Sequence, residues 1–471
     1  MTRTLLFLAA LTLLLPAAPR PNVLFIAIDD LNDWTGALGG HPQAKTPQLD
    51  RLAARGTLFT NAHCQSPVCN PSRSSLLLGR LPHRSGLHFL NPDFKKIPAL
   101  AELPTLPEVF AAHGYLTLGV GKIHHTGSQR FFQKYGGSFG GFGPTPKEKI
   151  SQPHGHPLWD WGAFPERDEL MPDYQSASWA ISELRKKHDK PFFLAVGFVR
   201  PHVPMFVPKK WFDLHPLTEI KLPEIAENDL ADISPYARNL TTLEHVSPTH
   251  QWVSESGEWK HAVQSYLAST SFVDHQVGRL LDALAESPHR DNTLIVLFSD
   301  HGFHLGEKNH WAKRTLWEDS TRVPLIIAGP GLPTRQRSDA PAGLIDLFPT
   351  LLDLAGLPAD PTQHGRSLRP LLNDPAADWP HPAITSFGPG NITLRSRHHR
   401  LIRYHDGSEE LYDHRRDPHE WHNLLPLDPA TSSEVRPVYE ALRRQVPGTE
   451  APLIPGDSTG HKAYQAAKEK L

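Results

Sequence analysis

The sequence predicts an α/β protein with a large, mostly parallel β-sheet sandwiched by helices, followed by a small C-terminal antiparallel sheet. Short, continuous runs of β-branched and aromatic residues are typical of parallel strands that are buried on both faces. Amphipathic segments of helical length separate these runs, as expected for crossover helices. The chain of 471 residues is long enough for one large domain and a smaller one.

Four apolar runs are predicted as strands of the main sheet. They are Asn22–Ile28, Leu116–Val120, Phe192–Phe198 and Thr293–Phe298. Three crossover helices are predicted, at Leu106–Ala112, Ser176–Lys187 and Ala262–Ala285. Polar or charged residues follow each strand directly. Because ligands bind at the carboxyl ends of strands in open parallel sheets, we expect these residues to form one site.

A segment rich in proline and polar residues, Pro370 to Pro382, marks the predicted domain boundary. We therefore predict a main domain at residues 19–375 and a C-terminal α+β subdomain at residues 376–471. Its predicted elements are strands at Asn391–Arg395, Leu401–Tyr404 and Glu410–Tyr412, a hairpin turn at Asp406-Gly407, and a helix around Ser433–Gln445. The basic run Arg395–Arg403 favours a solvated strand face over a contact with an acidic sugar.

The N-terminal residues 1–18 resemble a secretory signal peptide, with one basic residue, an apolar stretch and small residues before Ala18. We therefore expect export to the periplasm or the outside of the cell. No later segment reaches the ~20 apolar residues of a membrane span, so none is expected after signal removal. The formal net charge of −2 gives no support for nucleic-acid binding.

Carboxylates end two of the predicted strands, with Asp29 and Asp30 after the first, and Asp300 and His301 after the fourth. Hard divalent cations prefer oxygen ligands, and Ca²⁺ takes six to eight of them, so Ca²⁺ is favoured over Mg²⁺. The alternative is that Asp29 and Asp30 cap the next helix. Adjacent aspartates after an apolar strand repel each other unless a cation or donors compensate, which favours a metal site.

An anion site is predicted where Cys69-Asn70-Pro71-Ser72-Arg73 precedes an apolar helical run. Pro71 suits the start of a helix, and the free N–H groups there attract anions. Arg73 adds a permanent cation with a planar donor fork. The chain has one other cysteine, Cys64, and a Cys64–Cys69 disulfide is the alternative expected of an exported protein.

The string around Cys69 resembles the signature of the sulfatase family, C-x-P-S-R-x-x-x-L-T-G-R. It matches at seven positions and has Leu78 where threonine is usual; the matches are Cys69, Pro71, Ser72, Arg73, Leu77, Gly79 and Arg80. The resemblance implies an alkaline-phosphatase-like fold. It also implies that a formylglycine-generating enzyme oxidises Cys69 to formylglycine, an aldehyde whose hydrate is the nucleophile.

The resemblance extends to the other strand ends and implies roles for their residues. It implies a Ca²⁺ site formed by Asp29, Asp30, Cys69, Asp300 and His301. It implies that Arg73, Lys122 and Lys313 neutralise the sulfate. His125 would handle the proton of the formylglycine hydrate, with His124 as its rival, and His202 would protonate the leaving group.

The predicted function is the hydrolysis of a sulfate ester on a carbohydrate. The segments Arg-Pro-His202-Val-Pro and Trp-Ala-Lys313 are most similar to those of iduronate-2-sulfatase-like enzymes. One alternative is a phosphomonoester or phosphonate-ester hydrolase on the same scaffold. Another is a catalytically dead protein that binds sulfated glycans.

Overall fold

The computed structural model describes residues 20–151, 155, 158–241, 247–427, 432–448 and 450–469. The predicted signal peptide, residues 1–18, lies outside the described residues. Within the described ranges, no helix combines the length and the apolar character needed to cross a membrane.

An eight-stranded sheet forms the centre of the molecule. Its strands in chain order are β1 (Asn22–Ile28), β2 (Thr57–Phe59), β3 (Leu116–Gly121), β4 (Lys134–Tyr135), β5 (Phe192–Phe198), β6 (Thr293–Ser299), β7 (Leu325–Ala328) and β8 (Gln336–Ser338). Their spatial order is β8-β2-β7-β6-β1-β5-β3-β4. Strand β7 runs antiparallel to both neighbours, whereas the other pairs are parallel. The predicted fold class, a mostly parallel sheet, is confirmed.

Helices cover both faces of this sheet. The longer ones of the main domain are α1 (Pro47–Ala53), α2 (Cys69–Leu78), α3 (Leu106–Ala112), α4 (Pro172–Leu184), α5 (Trp259–Glu286) and α6 (Leu347–Leu354). Val23 and Phe25 of β1 face the core formed with α2, α3 and α6. Leu24 and Ile26 face the core formed with α1, α4 and α5. This two-sided burial explains why the strand sequences are continuously apolar.

Short elements make up most of the connections. The other helices of the main domain are Pro82–Ser85, Pro98–Ala101, Lys209–Phe212, Pro235–Thr241, His250–Glu255, Glu318–Thr321 and Arg369–Asn373. The 3₁₀ turns are Phe94–Lys96, Ser128–Phe131, Asp168–Leu170, Leu217–Glu219, Glu307–Asn309 and Leu344–Asp346. Three small strand pairs join Ala62–His63 to Ala342–Gly343, Trp161–Ala163 to Met205–Val207, and His304–Leu305 to Trp311–Ala312.

A four-stranded antiparallel sheet lies near the C-terminus. It consists of β9 (Ala383–Ser386), β10 (Ile392–Arg395), β11 (His399–Arg403) and β12 (Glu409–Asp413), and it is followed by α7 (Ser432–Arg443) and α8 (Thr459–Glu469). The predicted hairpin is present, since Tyr404 N donates to the carbonyl of Ser408 at 2.9 Å. Strand β9 was missed because it follows directly on a proline-rich stretch. The boundary at residue 375 stays a prediction.

The prediction that the basic run Arg395–Arg403 forms a solvated strand face is wrong for two of its arginines. Arg395 and Arg400 are buried, and neither lines the cavity described below. Arg400 Nε lies 2.5 Å from Glu420, and its other end pairs with Glu318. Arg395 Nε lies 3.1 Å from the same Glu318. These ion pairs fasten the small sheet to the chain segment around residue 318.

We expect Arg400→Met to destabilise the fold by about 3–5 kcal/mol, because it leaves Glu318 and Glu420 buried with less compensating charge. The measurement is the shift of the urea unfolding midpoint. The matched control is Arg416→Met, which removes a 3.0 Å pair to Glu434 between two exposed side chains. That control should change stability by less than about 1 kcal/mol. Equal shifts for the two variants would contradict a structural role for the buried network.

Candidate active site

The carboxyl ends of β1 and β6 bring the predicted metal ligands together. Asp29 and Asp30 follow β1, and Asp300 and His301 follow β6, and all four are fully buried. Because β1 and β6 are neighbours in register, with Ile28 opposite Ser299, the residues after them meet at one edge of the sheet. Cys69 begins α2 and points its sulfur into this cluster, 3.2 Å from Nε2 of His301 and 3.6 Å from Oδ1 of Asp29.

The donor set fits a hard divalent cation. Single ligand atoms of Asp29, Cys69, Asp300 and His301 lie within 4.8 Å of one another. Oδ2 of Asp30 is buried and has no hydrogen-bond partner among the described residues. Nδ1 of His301 lies 3.0 Å from the carbonyl of Gly302 and donates to it, so Nε2, which faces the carboxylates of Asp30 and Asp300, is the nitrogen that a bound cation would take. Three carboxylates and one imidazole suit Ca²⁺.

The alternative role of Asp29 and Asp30 as a helix cap is wrong. In the continuously described stretch after β1, no helix begins before Pro47. Asp30 instead has a positive φ of 63°, and its backbone N–H donates to Oδ1 of Asp300 at 3.2 Å. The backbone is therefore bent so that both carboxylates stay inside the cluster.

Three cations neutralise the buried carboxylates. Arg73 Nε lies 2.8 Å from Asp300, and its NH2 group lies 3.2 Å from Asp29. Lys122 pairs with the other oxygen of Asp29. Lys313 Nζ lies 2.5 Å from Asp30 and 3.2 Å from the sulfur of Cys69. Positive charge thus surrounds the sulfur and the carboxylates at the same time.

This charge arrangement shifts the pKa values of the cluster. Burial is the largest single influence and raises the pKa of the Cys69 thiol, but Lys122, Lys313, His301 and a hydrogen bond from His125 together outweigh it, so this pKa lies well below its usual range. Burial raises the pKa of Asp300 to about 6 against the opposing effect of Arg73. The site therefore favours an anion at position 69.

A cavity of about 280 Å³ opens above Cys69. Its polar lining consists of Asp30, Cys69, Lys122, His125, His202, Lys313 and Arg314. Its apolar lining consists of Leu90, Phe142, Leu158, Trp159, Val203, Phe303 and Ala312. The predicted site residues outside this lining form its floor. The structure thus brings all of them together, from four strand ends of the main sheet, from α2, and, for Lys313, from the end of the short strand Trp311–Ala312.

The histidines at the cavity differ in their surroundings. His202 stacks on Phe142 with ring centroids 4.7 Å apart, and its Nε2 lies 3.8 Å from Asp30. His125 lines the cavity, and within the described part of the chain its buried Nδ1 has no hydrogen-bond partner. His124 does not line it, because its ring nitrogens lie 2.9 Å from Ser74 Oγ and 2.9 Å from the carbonyl of Thr126. The geometry favours His125 over its rival.

Both cysteines are free and buried, so the alternative of a Cys64–Cys69 disulfide is not observed. Sequence reasoning missed other residues of the cavity, among them Phe142, Trp159 and Arg314. Arg314 directly follows Lys313, and this adjacency was the one signal that could have identified it. The two residues on either side of Lys313 have a strained backbone, with φ of 76° at Ala312 and 83° at Arg314.

The comparison with protein families decides the identity of this site. A model described as Sulfatase matches residues 21–357. The chain belongs to the sulfatase family. A second model, described as N-sulphoglucosamine sulphohydrolase, C-terminal, matches residues 306–446 and spans the small sheet. The prediction of a hydrolase that acts on sulfuric esters is confirmed.

Named relatives agree with this assignment over most of the chain. A sulfatase of Formosa agariphila is 42% identical over 448 residues, which cover 92% of this chain and 87% of that protein. The iduronate 2-sulfatase of Homo sapiens is 33% identical over 391 residues, covering 72% of this chain and 70% of that protein. A solved structure of a 2-O GAG sulfatase has a TM-score of 0.69 at 25% identity, covering 90% of this chain and 91% of that one.

Proposed function

We propose that this sulfatase removes sulfate from a sulfated saccharide, through a formylglycine made from Cys69 and with Ca²⁺ as the metal. The observation that carries the proposal is the position of Cys69, at the start of α2 and at the base of the cavity. Its sulfur lies 3.2 Å from Lys313 Nζ and 3.8 Å from Lys122 Nζ. Similarity to an iduronate 2-sulfatase and to a 2-O GAG sulfatase supports a saccharide substrate.

The metal would be held by Asp29, Asp30, Asp300, His301 and residue 69. When bound, Ca²⁺ supplies positive charge next to the sulfate oxygens. Arg73 holds Asp29 and Asp300 in place, since it contacts both carboxylates. It thereby fixes the shape of the donor set.

Residue 69 and the side chains around it supply the nucleophile, the positive charge and the proton transfers of the proposed reaction. The matured residue supplies a nucleophilic oxygen and a second hydroxyl group. Lys122 and Lys313 place two ammonium groups where the oxygens of the sulfuryl group gain negative charge. His125 accepts the proton of the second hydroxyl, which allows the sulfated intermediate to release sulfate. His202 donates a proton to the leaving alcohol.

The protein should hydrolyse an aryl sulfate about 100-fold faster, in kcat/KM, than the matching aryl phosphate. Lys122 and Lys313 already pair with Asp29 and Asp30, so they compensate little of the second negative charge that a phosphate monoester carries into the site. The measurement is steady-state hydrolysis of the two esters with the same aryl group. Faster phosphate hydrolysis would favour the phosphomonoester alternative, and binding of sulfated glycans without turnover would favour the dead binding protein.

We also propose that the enzyme acts in the periplasm or outside the cell, after removal of residues 1–18. A formylglycine-generating enzyme of the host would mature Cys69. Support comes from the signal-peptide pattern and from the Cys-x-Pro-Ser-Arg motif in the sequence. N-terminal sequencing of the protein from cell fractions tests the export proposal.

A further inference from the structure

Arg314 differs from every other cation of the cavity. Lys122, Lys313 and Arg73 all pair with carboxylates of the metal cluster. Arg314 also lines the cavity, yet no hydrogen bond or ion pair joins its guanidinium to any residue in the described ranges. A partly buried guanidinium without a partner lacks the compensation that such groups normally have.

The start of α8 adds positive charge beside Arg314, and the carboxylate that attracts Arg314, Asp30, already pairs with Lys313. A Cβ added to Gly460, in the first turn of α8, would lie 3.7 Å from Nε of Arg314. The start of a helix carries partial positive charge from its free N–H groups. The nearby acid in the preceding loop, Asp457, is exposed and accepts a hydrogen bond from Asn91 instead. Two sources of positive charge therefore meet beside the cavity.

The backbone holds Arg314 in this position. Its φ of 83° and that of 76° at Ala312 place both residues in the left-handed region, on either side of Lys313. Strain of this kind persists where the surrounding structure enforces it, and it clusters at functional sites. The same backbone segment therefore presents two cations to the cavity: Lys313 beside residue 69, and Arg314, which has no hydrogen-bond or ion-pair partner in the part of the chain that the structure describes.

We propose that Arg314 binds a second anionic group of the sulfated sugar, a carboxylate or a second sulfate, and selects substrates that carry two negative groups. This proposal rests on the proposed function, since Lys313 and the metal cluster would hold the sulfate that is cleaved. A guanidinium presents paired donors that match the oxygens of either group. The rings of Phe142, Trp159 and Phe303 provide the apolar surface on which a sugar ring can lie.

The test compares three glycosides with the same leaving group. They are a monosulfated uronic acid, a disulfated neutral hexose and a monosulfated neutral hexose. For the wild type, kcat/KM should be higher for at least one two-anion substrate than for the one-anion substrate. Arg314→Gln should reduce that ratio by about 10- to 100-fold. A fall for the uronic acid assigns a carboxylate, and a fall for the disulfated hexose assigns a sulfate.

Two further variants make the result decisive. Arg335→Gln is the matched control, because Arg335 also has a positive φ, of 54°, but is exposed and lies outside the cavity; its ratio should equal that of the wild type. Arg314→Lys keeps the charge but loses the planar fork, so it should show an intermediate ratio. If Arg314→Gln fails to fold, the ratio measured for Arg314→Lys tests the role of Arg314 in its place.

Two results would overturn this inference. One is an unchanged ratio in both Arg314 variants, and the other is an equal loss on all three substrates. In either case, turnover of sulfate esters by the wild type would leave the proposed function standing. A wild-type enzyme that hydrolyses no sulfate ester would instead contradict the proposed function itself, and the assignment of Arg314 with it.

Discussion

Cys69→Ser is expected to lower kcat for sulfate esters by about 10⁴-fold or more, the usual order for the loss of a nucleophile. Serine offers one hydroxyl, so a sulfated side chain has no second hydroxyl proton to lose and cannot release sulfate. The variant should therefore be inactive or should accumulate as a sulfated protein. Steady-state rates and the mass of the intact protein, measured after incubation with substrate, test both outcomes.

The matched control for this substitution is Cys64→Ser. Cys64 is equally buried, but its thiol donates weakly to the carbonyl of Ser320 and does not line the cavity. Its replacement should leave the sulfated state undetected and the rate near that of the wild type. Ca²⁺ should still stabilise Cys69→Ser, because Asp29, Asp30, Asp300 and His301 remain in place. Full activity of Cys69→Ser would contradict the formylglycine mechanism.

Removal of the metal by a chelator is expected to lower kcat/KM by at least about 100-fold, since a bound cation contributes several kcal/mol of charge stabilisation. The fold should survive, because Arg73, Lys122 and Lys313 already neutralise the three carboxylates. Added Ca²⁺ should restore the rate better than Mg²⁺ does. The measurements are the rate and the thermal midpoint during titration of each ion.

A pair of aspartate variants separates a specific site from a general effect of charge. Asp300→Asn removes a carboxylate of the cluster and should weaken the response to Ca²⁺ by at least tenfold. Asp339→Asn is the control, because Asp339 is largely exposed and pairs with Arg397 away from the cavity. It should respond to Ca²⁺ as the wild type does. A chelated enzyme that holds no metal and keeps its full rate would contradict a metal-dependent mechanism.

The long strands could be predicted from the sequence, and the short ones could not. Strands β1 and β5 are seven-residue apolar runs with both faces buried. Such runs can be recognised as strands from the local sequence alone, without knowledge of the strands that pair with them. Strands β2 and β8 have three residues each. They exist because residues almost 280 positions apart pair with each other, for example Thr57 with Gln336. No local pattern encodes such a pairing or the antiparallel direction of β7.

Some residues of the candidate site could likewise be predicted from the sequence, and others could not. Asp29, Asp300 and Lys122 follow long strands, so the topology of the sheet predicts that they meet. Phe142, Trp159 and Arg314 come from loops, whose approach to the cavity depends on tertiary packing. The burial of Arg400 was missed for a related reason, because its partner Glu318 lies 82 positions away in the chain. A charge pattern shows that a residue is basic but does not show what it pairs with.

The most direct test is the mass of the tryptic peptide Gly56–Arg73 from protein made in its native host. This peptide contains both Cys64 and Cys69. We predict the mass of a peptide in which residue 69 carries an aldehyde in place of the thiol, with Cys64 unmodified. An active enzyme whose peptide holds two unmodified thiols, or a Cys64–Cys69 disulfide, would contradict the proposed nucleophile.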